Sequence, residues 1–294
     1  IENLKKFQDL DIPKVMIRLP MKSQVEDVVK YSDISMNSEL SIIEALNIEA
    51  KKQSKIHKII LMIELGDLRE GILPKNIKTH MDQIIKFENI KLEGIGVNLT
   101  CYGGVIPTPT NLGKLEEIAK EIEENYNITV NIVSGGNSSS VDLLLGDKLP
   151  KKINNLRLGE VLIFGRETAY GKKLKGYFSD AVSLEAEIVE LKEKDSKPTG
   201  EIGMNAFGEK PEFQDFGIRK RAIVAIGRQD VDQENIVPKD EKIKIIGASS
   251  DHLILDMTDT KRKYEVGDII EFSVNYGGLL QLSTSSYVTK EFFV

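Results

Sequence analysis

Two stretches of this chain combine residue types that suit an anion. Residues 134–140 (SGGNSSS) stand just ahead of a short helical stretch. Their glycines let a backbone approach a ligand closely, and hydroxyls with free N–H groups at a helix start favour negative charge. The same composition also serves ordinary helix capping. Residues 157–160 (RLGE) add backbone donors at Gly159 and Glu160 beside Arg157, a charge inside an apolar run. Arg157 either faces outward into a structural ion pair or aims its donors at a ligand. Residues 64–71 (ELGDLREG) form a charged loop after another apolar run, and Asn98 closes a further one. Lys58 and Lys91 precede their runs and so belong to the opposite end. Cys101 is the only cysteine, and His57, His80 and His252 are scattered. That excludes a disulfide framework and a multi-cysteine metal site, and no metal is expected.

The elements that must position these residues alternate. Residues 15–19, 33–36, 58–64, 95–98, 128–133 and 155–165 read as strands. Helical patterns lie between them at 23–31, 38–52 (with Ser38 as a cap), 74–87, 111–125 and 138–146. Strands alternating with helices imply parallel βαβ units. Six strands fit either an open doubly wound sheet or a (β/α)8 TIM-type barrel with about six of its eight βα units present. In a barrel the reactive face lies at the C-terminal ends of the strands, with a phosphate often held after the last two. The loops at 134–140 and 157–160 follow that order.

From about Ser183 the helical spacing gives way to short strand-like runs at 186–191, 221–227, 243–247, 252–256 and 269–273. They read as an all-β C-terminal domain. The boundary is expected between 177 and 183, giving domains of 1–180 and 181–294.

The 294 residues are 40% hydrophobic and 29% charged, which is globular composition. The net charge of −6 argues against a nucleic-acid surface. No apolar run approaches a membrane span, and residues 1–10 carry no signal-peptide pattern. The expectation is a cytoplasmic protein with neither nucleic acid nor membrane as partner.

Several strings resemble the alanine-racemase-like group of pyridoxal-phosphate enzymes, and within it the ornithine racemase branch. They are 64–71, 134–138, 156–160 (LRLGE) and 164–167 (FGRE). In the second half they are 205–208 (NAFG), 226–232 (IGRQDVD), 247–252 (GASSDH) and 284–288 (TSSYV). The likeness spans nearly the whole chain. It implies a pyridoxal 5'-phosphate-binding barrel followed by a β domain, a small amino-acid substrate, and a head-to-tail homodimer. By position it implies that Ser138 and the N–H groups of Gly159 and Glu160 bind the phosphate, with Arg157 on the pyridine nitrogen and Asn137 also at the cofactor. Asn98 stands where alanine racemases carry a histidine near the ring, and Arg69 matches an arginine at the edge of the site.

The resemblance also sets expectations where the chain departs from the pattern. The family's Schiff-base lysine ends the first barrel strand, and no lysine here takes that place. It is therefore expected in a segment ahead of Ile1, and the chain as given is expected to be inactive without it. A tyrosine of the partner's β domain is replaced by Arg228, which leaves Asp230, His252 and Tyr287 as candidates for the second base. Asp230 and His252 are taken as catalytic. Asp230 or Asp251 would pair with the distal ammonium of a cationic side chain. The expected activity is ornithine racemisation by two-base proton transfer. Racemisation of alanine or of many amino acids, and a non-catalytic pyridoxal-phosphate-binding paralogue, are the alternatives.

Overall fold

The computed structural model describes residues 1–205, 207–208 and 210–293. The chain divides into two compact units, Ile1–Tyr177 and Phe178–Val294. The first opens with α1 (Glu2–Lys6) and then alternates: β1 (Val15–Met16), α2 (Val25–Tyr31), β2 (Ile34–Asn37), α3 (Leu40–Lys52), β3 (His57–Ile63), α4 (Ile77–Ile84), β4 (Ile90–Val97), α5 (Pro109–Tyr126), β5 (Ile132–Ser134), α6 (Val141–Leu145) and α7 (Glu160–Phe164). The five strands form one parallel sheet in chain order. A single parallel bridge, Ser134 to Asn155, adds a sixth position at the β5 edge. This is a parallel half-barrel.

The sheet is apolar on both faces, as βαβ crossovers require. On β3, Ile59, Leu61 and Ile63 pack into the large core with Ile43, Leu46, Met81 and Leu115 of the helices. Ile60 and Met62 point the other way and meet Ile34, Met36, Leu19 and Ile132. Pro109 at the first turn of α5 and a reciprocal cap between Thr108 and Asn111 fix where that helix starts.

Two expectations fail here. Ser38 does not cap α3; Glu39, in extended conformation, is the residue before the helix, so Ser38 stands one position too early. Residues 155–165 are not a strand. After the bridge at Asn155 the chain turns at Gly159 into the five-residue α7, which ends on Gly165 in the left-handed region. Val161 and Phe164, three apart, are buried while Leu162 faces solvent, which is a helical pattern. Arg157 therefore lies in the short link between bridge and helix.

The second unit is a six-stranded antiparallel sheet: β6 (Ser183–Asp195), β7 (Ile218–Val224), β8 (Ile236–Pro238), β9 (Lys244–Ala248), β10 (Leu253–Asp256) and β11 (Ile269–Val274), ordered β8-β11-β6-β7-β10-β9. Leu184, Ala186 and Ile188 alternate into its core against Phe272 and Val224. It is not wholly β. The helix α8 (Tyr276–Thr284) follows β11, its start capped by the Asn275 side chain accepting from the Gly278 N–H.

Candidate active site

The chemistry-bearing residues of the first unit gather at the C-terminal ends of β3, β4 and β5. Arg157 is the hub. Its backbone N–H donates to the Gly136 carbonyl at 2.9 Å. Its Nη1 donates to the Ser134 hydroxyl at 2.7 Å, and its Nη2 to the Val97 carbonyl at 2.9 Å and to Asn98 Oδ1 at 3.3 Å. Burial pulls the guanidinium below its ordinary value, while the Glu70 carboxylate works against that. An arginine keeps its charge under such a shift.

Asn98 is buried and bridges outward from this hub. Its Oδ1 also accepts from Asn137 Nδ2 at 3.0 Å, and its Nδ2 donates to Glu70 Oε1 at 3.3 Å. Asn137 Nδ2 reaches the Leu99 carbonyl at 2.9 Å and the Cys101 Sγ at 3.2 Å as well. Arg69 grips Glu70 with two donors, Nε and Nη2. That pairing holds the Arg69 guanidinium above its ordinary value.

The loop after β5 forms the other half. The Asn137 side chain accepts from the Ser139 N–H at 2.8 Å and starts the turn. The Ser138 hydroxyl accepts from the Val161 N–H at 3.2 Å and, at 3.5 Å, from the Gly159 N–H. The turn and α7 thus meet at one oxygen. Ser139 is buried, and its hydroxyl has no hydrogen-bond partner. A side chain at Gly159 would meet nothing within 4 Å, so open space lies above that backbone. The Glu160 carboxylate turns away and pairs with Arg166 at 2.9 Å.

Lys58 and Lys91 both pair with Glu93, at 3.4 and 3.1 Å, near the N-terminal ends of β3 and β4. A cavity of about 1020 Å³ opens at that same end, lined by Lys14, Asp33, His57 and Lys58. It faces away from the Arg157 cluster. In barrels of this kind the strand ends opposite the loops serve stability.

Sequence reasoning assigned no role to Asp67, Glu70 or Glu167. The Asp67 carboxylate is fully buried and accepts from the N–H groups of Cys101, Tyr102 and Val105 at 2.9–3.2 Å. It binds the loop after β3 to the loop after β4. Gly71 makes the first loop possible: its φ is +136°, and a Cβ there would sit 2.6 Å from the Glu64 nitrogen. Glu167 is also fully buried and accepts from the N–H groups of Ala169, Tyr170 and Lys172.

In the second unit the loops 227–230 and 249–252 lie side by side. The Arg228 N–H donates to the Ser249 carbonyl and the Gln229 N–H to the Ser250 carbonyl, both at 2.9 Å. Gly227 permits that approach, since a Cβ there would lie 2.4 Å from Ser250 O. Asp230 is buried and accepts from the Ser285 hydroxyl at 2.6 Å. His252 is exposed and its Nδ1 meets Asp251 Oδ1 at 3.0 Å. Arg228 stacks on the Phe207 ring, 4.1 Å from its centre. Tyr287 is exposed. Within the 205–208 string, Ala206 lies outside the described residues. Among the described residues no group of three or more His, Cys, Asp or Glu side chains is placed to hold a metal, and no helix is long and apolar enough to cross a membrane.

Comparison with known proteins agrees with this layout. Residues 5–167 match the family model described as alanine racemase, N-terminal domain. The chain is 54% identical to an ornithine racemase of Acetoanaerobium sticklandii over 292 residues, 99% of this chain and 83% of that protein. It is 37% identical to a lysine racemase of Thermotoga maritima over 278 residues, 95% of this chain and 77% of that protein. Among solved structures, an alanine racemase from Bartonella henselae with covalently bound pyridoxal phosphate superposes with a TM-score of 0.66 at 19% identity, over 98% of this chain and 77% of that one. An alanine racemase from Streptomyces lavendulae gives 0.67 at 12% identity, over 97% of this chain and 77% of that one. At such identities the superpositions speak for the fold, and the sequence matches establish that the chain belongs to the alanine racemase family.

Proposed function

We propose that this chain supplies the cofactor-binding face of a pyridoxal-phosphate-dependent amino-acid racemase, and that ornithine is its substrate. The observation that carries the reading is the convergence of 134–140 and 157–160 on Arg157, in a chain 54% identical to an ornithine racemase. The residues fit the cofactor. The open space at Gly159 leaves room for a phosphate beside the Ser138 hydroxyl, which accepts two N–H bonds and keeps its own proton to donate, and the buried Ser139 hydroxyl in the same turn has no protein partner. Among the described residues, no carboxylate lies within ion-pair distance of the Arg157 guanidinium, so its remaining donors are free for a ring nitrogen.

In this reading Ser138 and the N–H groups of Gly159 and Glu160 bind the phosphate, and Asn137 holds the turn that presents Ser138 to the cofactor. Pyridoxal phosphate, when bound, supplies the electron sink that acidifies the α-hydrogen of an attached amino acid. Arg157 can only donate, so it holds the ring nitrogen without a proton and tempers that sink. A tempered sink favours return of the proton to the α-carbon over side reactions. Arg69 and Asn98 flank the ring. Racemisation then needs two acid/base groups on opposite faces of the α-carbon. Asp251 orients the His252 imidazole, which leaves Nε2 to hold or release a proton; Asp230 is the second candidate. Head-to-tail pairing of two copies would bring the second unit of one to the first unit of the other.

The test uses the full-length gene product with pyridoxal phosphate and L-ornithine in deuterium oxide. Loss of the α-proton signal, with D-ornithine seen on a chiral column, is the expected result. Faster exchange with L-alanine or L-lysine moves the substrate assignment. Binding of pyridoxal phosphate without exchange of any amino acid replaces the racemase with a non-catalytic paralogue.

A further inference from the structure

The Arg157 cluster contains two guanidinium groups and two neutral amides, and its negative charge comes from Glu70. Asp67 is committed elsewhere, to three backbone N–H groups. Glu70 makes two kinds of contact. Both of its oxygens receive the Arg69 fork. Its Oε1 also receives Asn98 Nδ2 at 3.3 Å, and that same amide turns its oxygen to Arg157 Nη2 and Asn137 Nδ2. A paired arginine fork has one orientation rather than many. A side-chain amide with a carboxylate on its nitrogen side keeps its oxygen on the other.

We infer that Glu70 is a positioning residue of the cofactor site: it fixes the Arg69 fork and the direction of the Asn98 amide, and through Asn98 it steadies Arg157 at the ring end of pyridoxal phosphate. The inference rests on the cofactor reading above. It is opposed by a simpler electrostatic expectation. A carboxylate near the site repels an anionic cofactor, so removing its charge should tighten binding. Positioning predicts the reverse, and the two signs separate the ideas.

The experiment is a titration of the full-length protein with pyridoxal phosphate, followed by absorbance, in wild type and in Glu70→Gln, Glu70→Asp, Arg69→Ala and the Glu70→Gln/Arg69→Ala double variant. Inorganic phosphate is titrated as a competitor in each. Glu70→Gln is expected to weaken pyridoxal phosphate binding by about tenfold, within the span of coupled neighbouring groups. Inorganic phosphate should bind unchanged, because its donors, the Ser138 hydroxyl and the N–H groups of Gly159 and Glu160, make no hydrogen bond to Glu70 or Asn98. Glu70→Asp, which keeps the charge, should recover most of the affinity. In the Arg69→Ala background the Glu70→Gln effect should shrink. Equal or tighter cofactor binding in Glu70→Gln overturns the inference. So does a parallel loss of phosphate affinity, which would mark general damage to the fold. A wild type that binds no pyridoxal phosphate removes the cofactor reading itself, and the inference with it.

Discussion

Arg157 donates to the Ser134 hydroxyl at 2.7 Å across 23 residues of sequence. The bond joins the last strand position of the half-barrel to the segment that leads into the serine-rich turn. Ser134 in turn donates to Asn155 Oδ1 at 2.6 Å, closing a ring around the edge bridge. The guanidinium is thus held from the sheet side by Ser134, Val97 and Asn98. Its direction is set by the scaffold, as the role proposed for it requires.

Replacing Arg157 tests that scaffold and the reaction separately. Lysine carries the charge but cannot span three acceptors. Arg157→Lys is expected to lower unfolding free energy by about 1–3 kcal/mol, the cost of leaving buried acceptors unmet. Urea denaturation measures it. Arg157→Glu places an acceptor where only a donor stood. In the presence of amino acid it should raise the yield of pyridoxamine phosphate relative to racemised product. An unchanged ratio would remove Arg157 from the ring nitrogen.

Asp67 holds the loop that carries Cys101. Asp67→Ala frees three N–H groups in a loop that water can reach, so part of the loss is recovered. The expected destabilisation is about 2 kcal/mol. Cys101, already exposed, should react faster with a thiol reagent as the loop opens. Equal stability and equal thiol rates would mean that the loop is held by other contacts.

Gly71 and Gly104 make a matched pair. Both have positive φ, +136° and +68°. A Cβ at Gly71 meets backbone at 2.6 Å, whereas one at Gly104 meets nothing within 4 Å. Gly104→Ala should therefore cost only the left-handed backbone penalty, about 1 kcal/mol. Gly71→Ala must also displace the Glu64 strand end and should cost about 3 kcal/mol or more. Thermal melts of the two variants give the comparison directly.

How legible all this was depends on the kind of signal. β3 reads as a buried parallel strand because its apolar run is unbroken, and β6 reads as half-buried because Leu184, Ala186 and Ile188 alternate with acids. Residues 160–164 were opaque: a short apolar run carries no period that separates strand from helix. α8 was hidden by Gly277 and Gly278, which favour turns, and it forms because Asn275 caps it and Leu282 is buried. The motif strings point to Arg157 and Ser138, and the end of the fourth strand points to Asn98. Asp67 and Glu70 lie within the 64–71 string without an assigned role, because the Asp67 partners and the Asn98 partner of Glu70 come from a loop 28 or more residues away, and the Arg69 pairing alone reads as a surface ion pair.

His57 gives a pH test of the half-barrel itself. Its Nε2 lies 2.8 Å from the Ser35 hydroxyl. That hydroxyl also accepts from Asn37 Nδ2 at 2.9 Å, and its own proton suits an unprotonated imidazole nitrogen. Burial pushes the His57 pKa down from 6.5 to about 4, with the nearby Lys55 charge acting in the same direction. The folded value is therefore the lower one, and between those two values the unfolded chain binds the extra proton. The contribution of neutral His57 is fully present above pH 6.5 and is lost as pH falls toward 4. At 1.36 kcal/mol per unit the loss across that window is about 3 kcal/mol. Urea midpoints of wild type should fall steadily over this range, and His57→Gln should flatten that slope while lowering stability at neutral pH. Parallel slopes in the two proteins would assign the acid sensitivity to carboxylates instead.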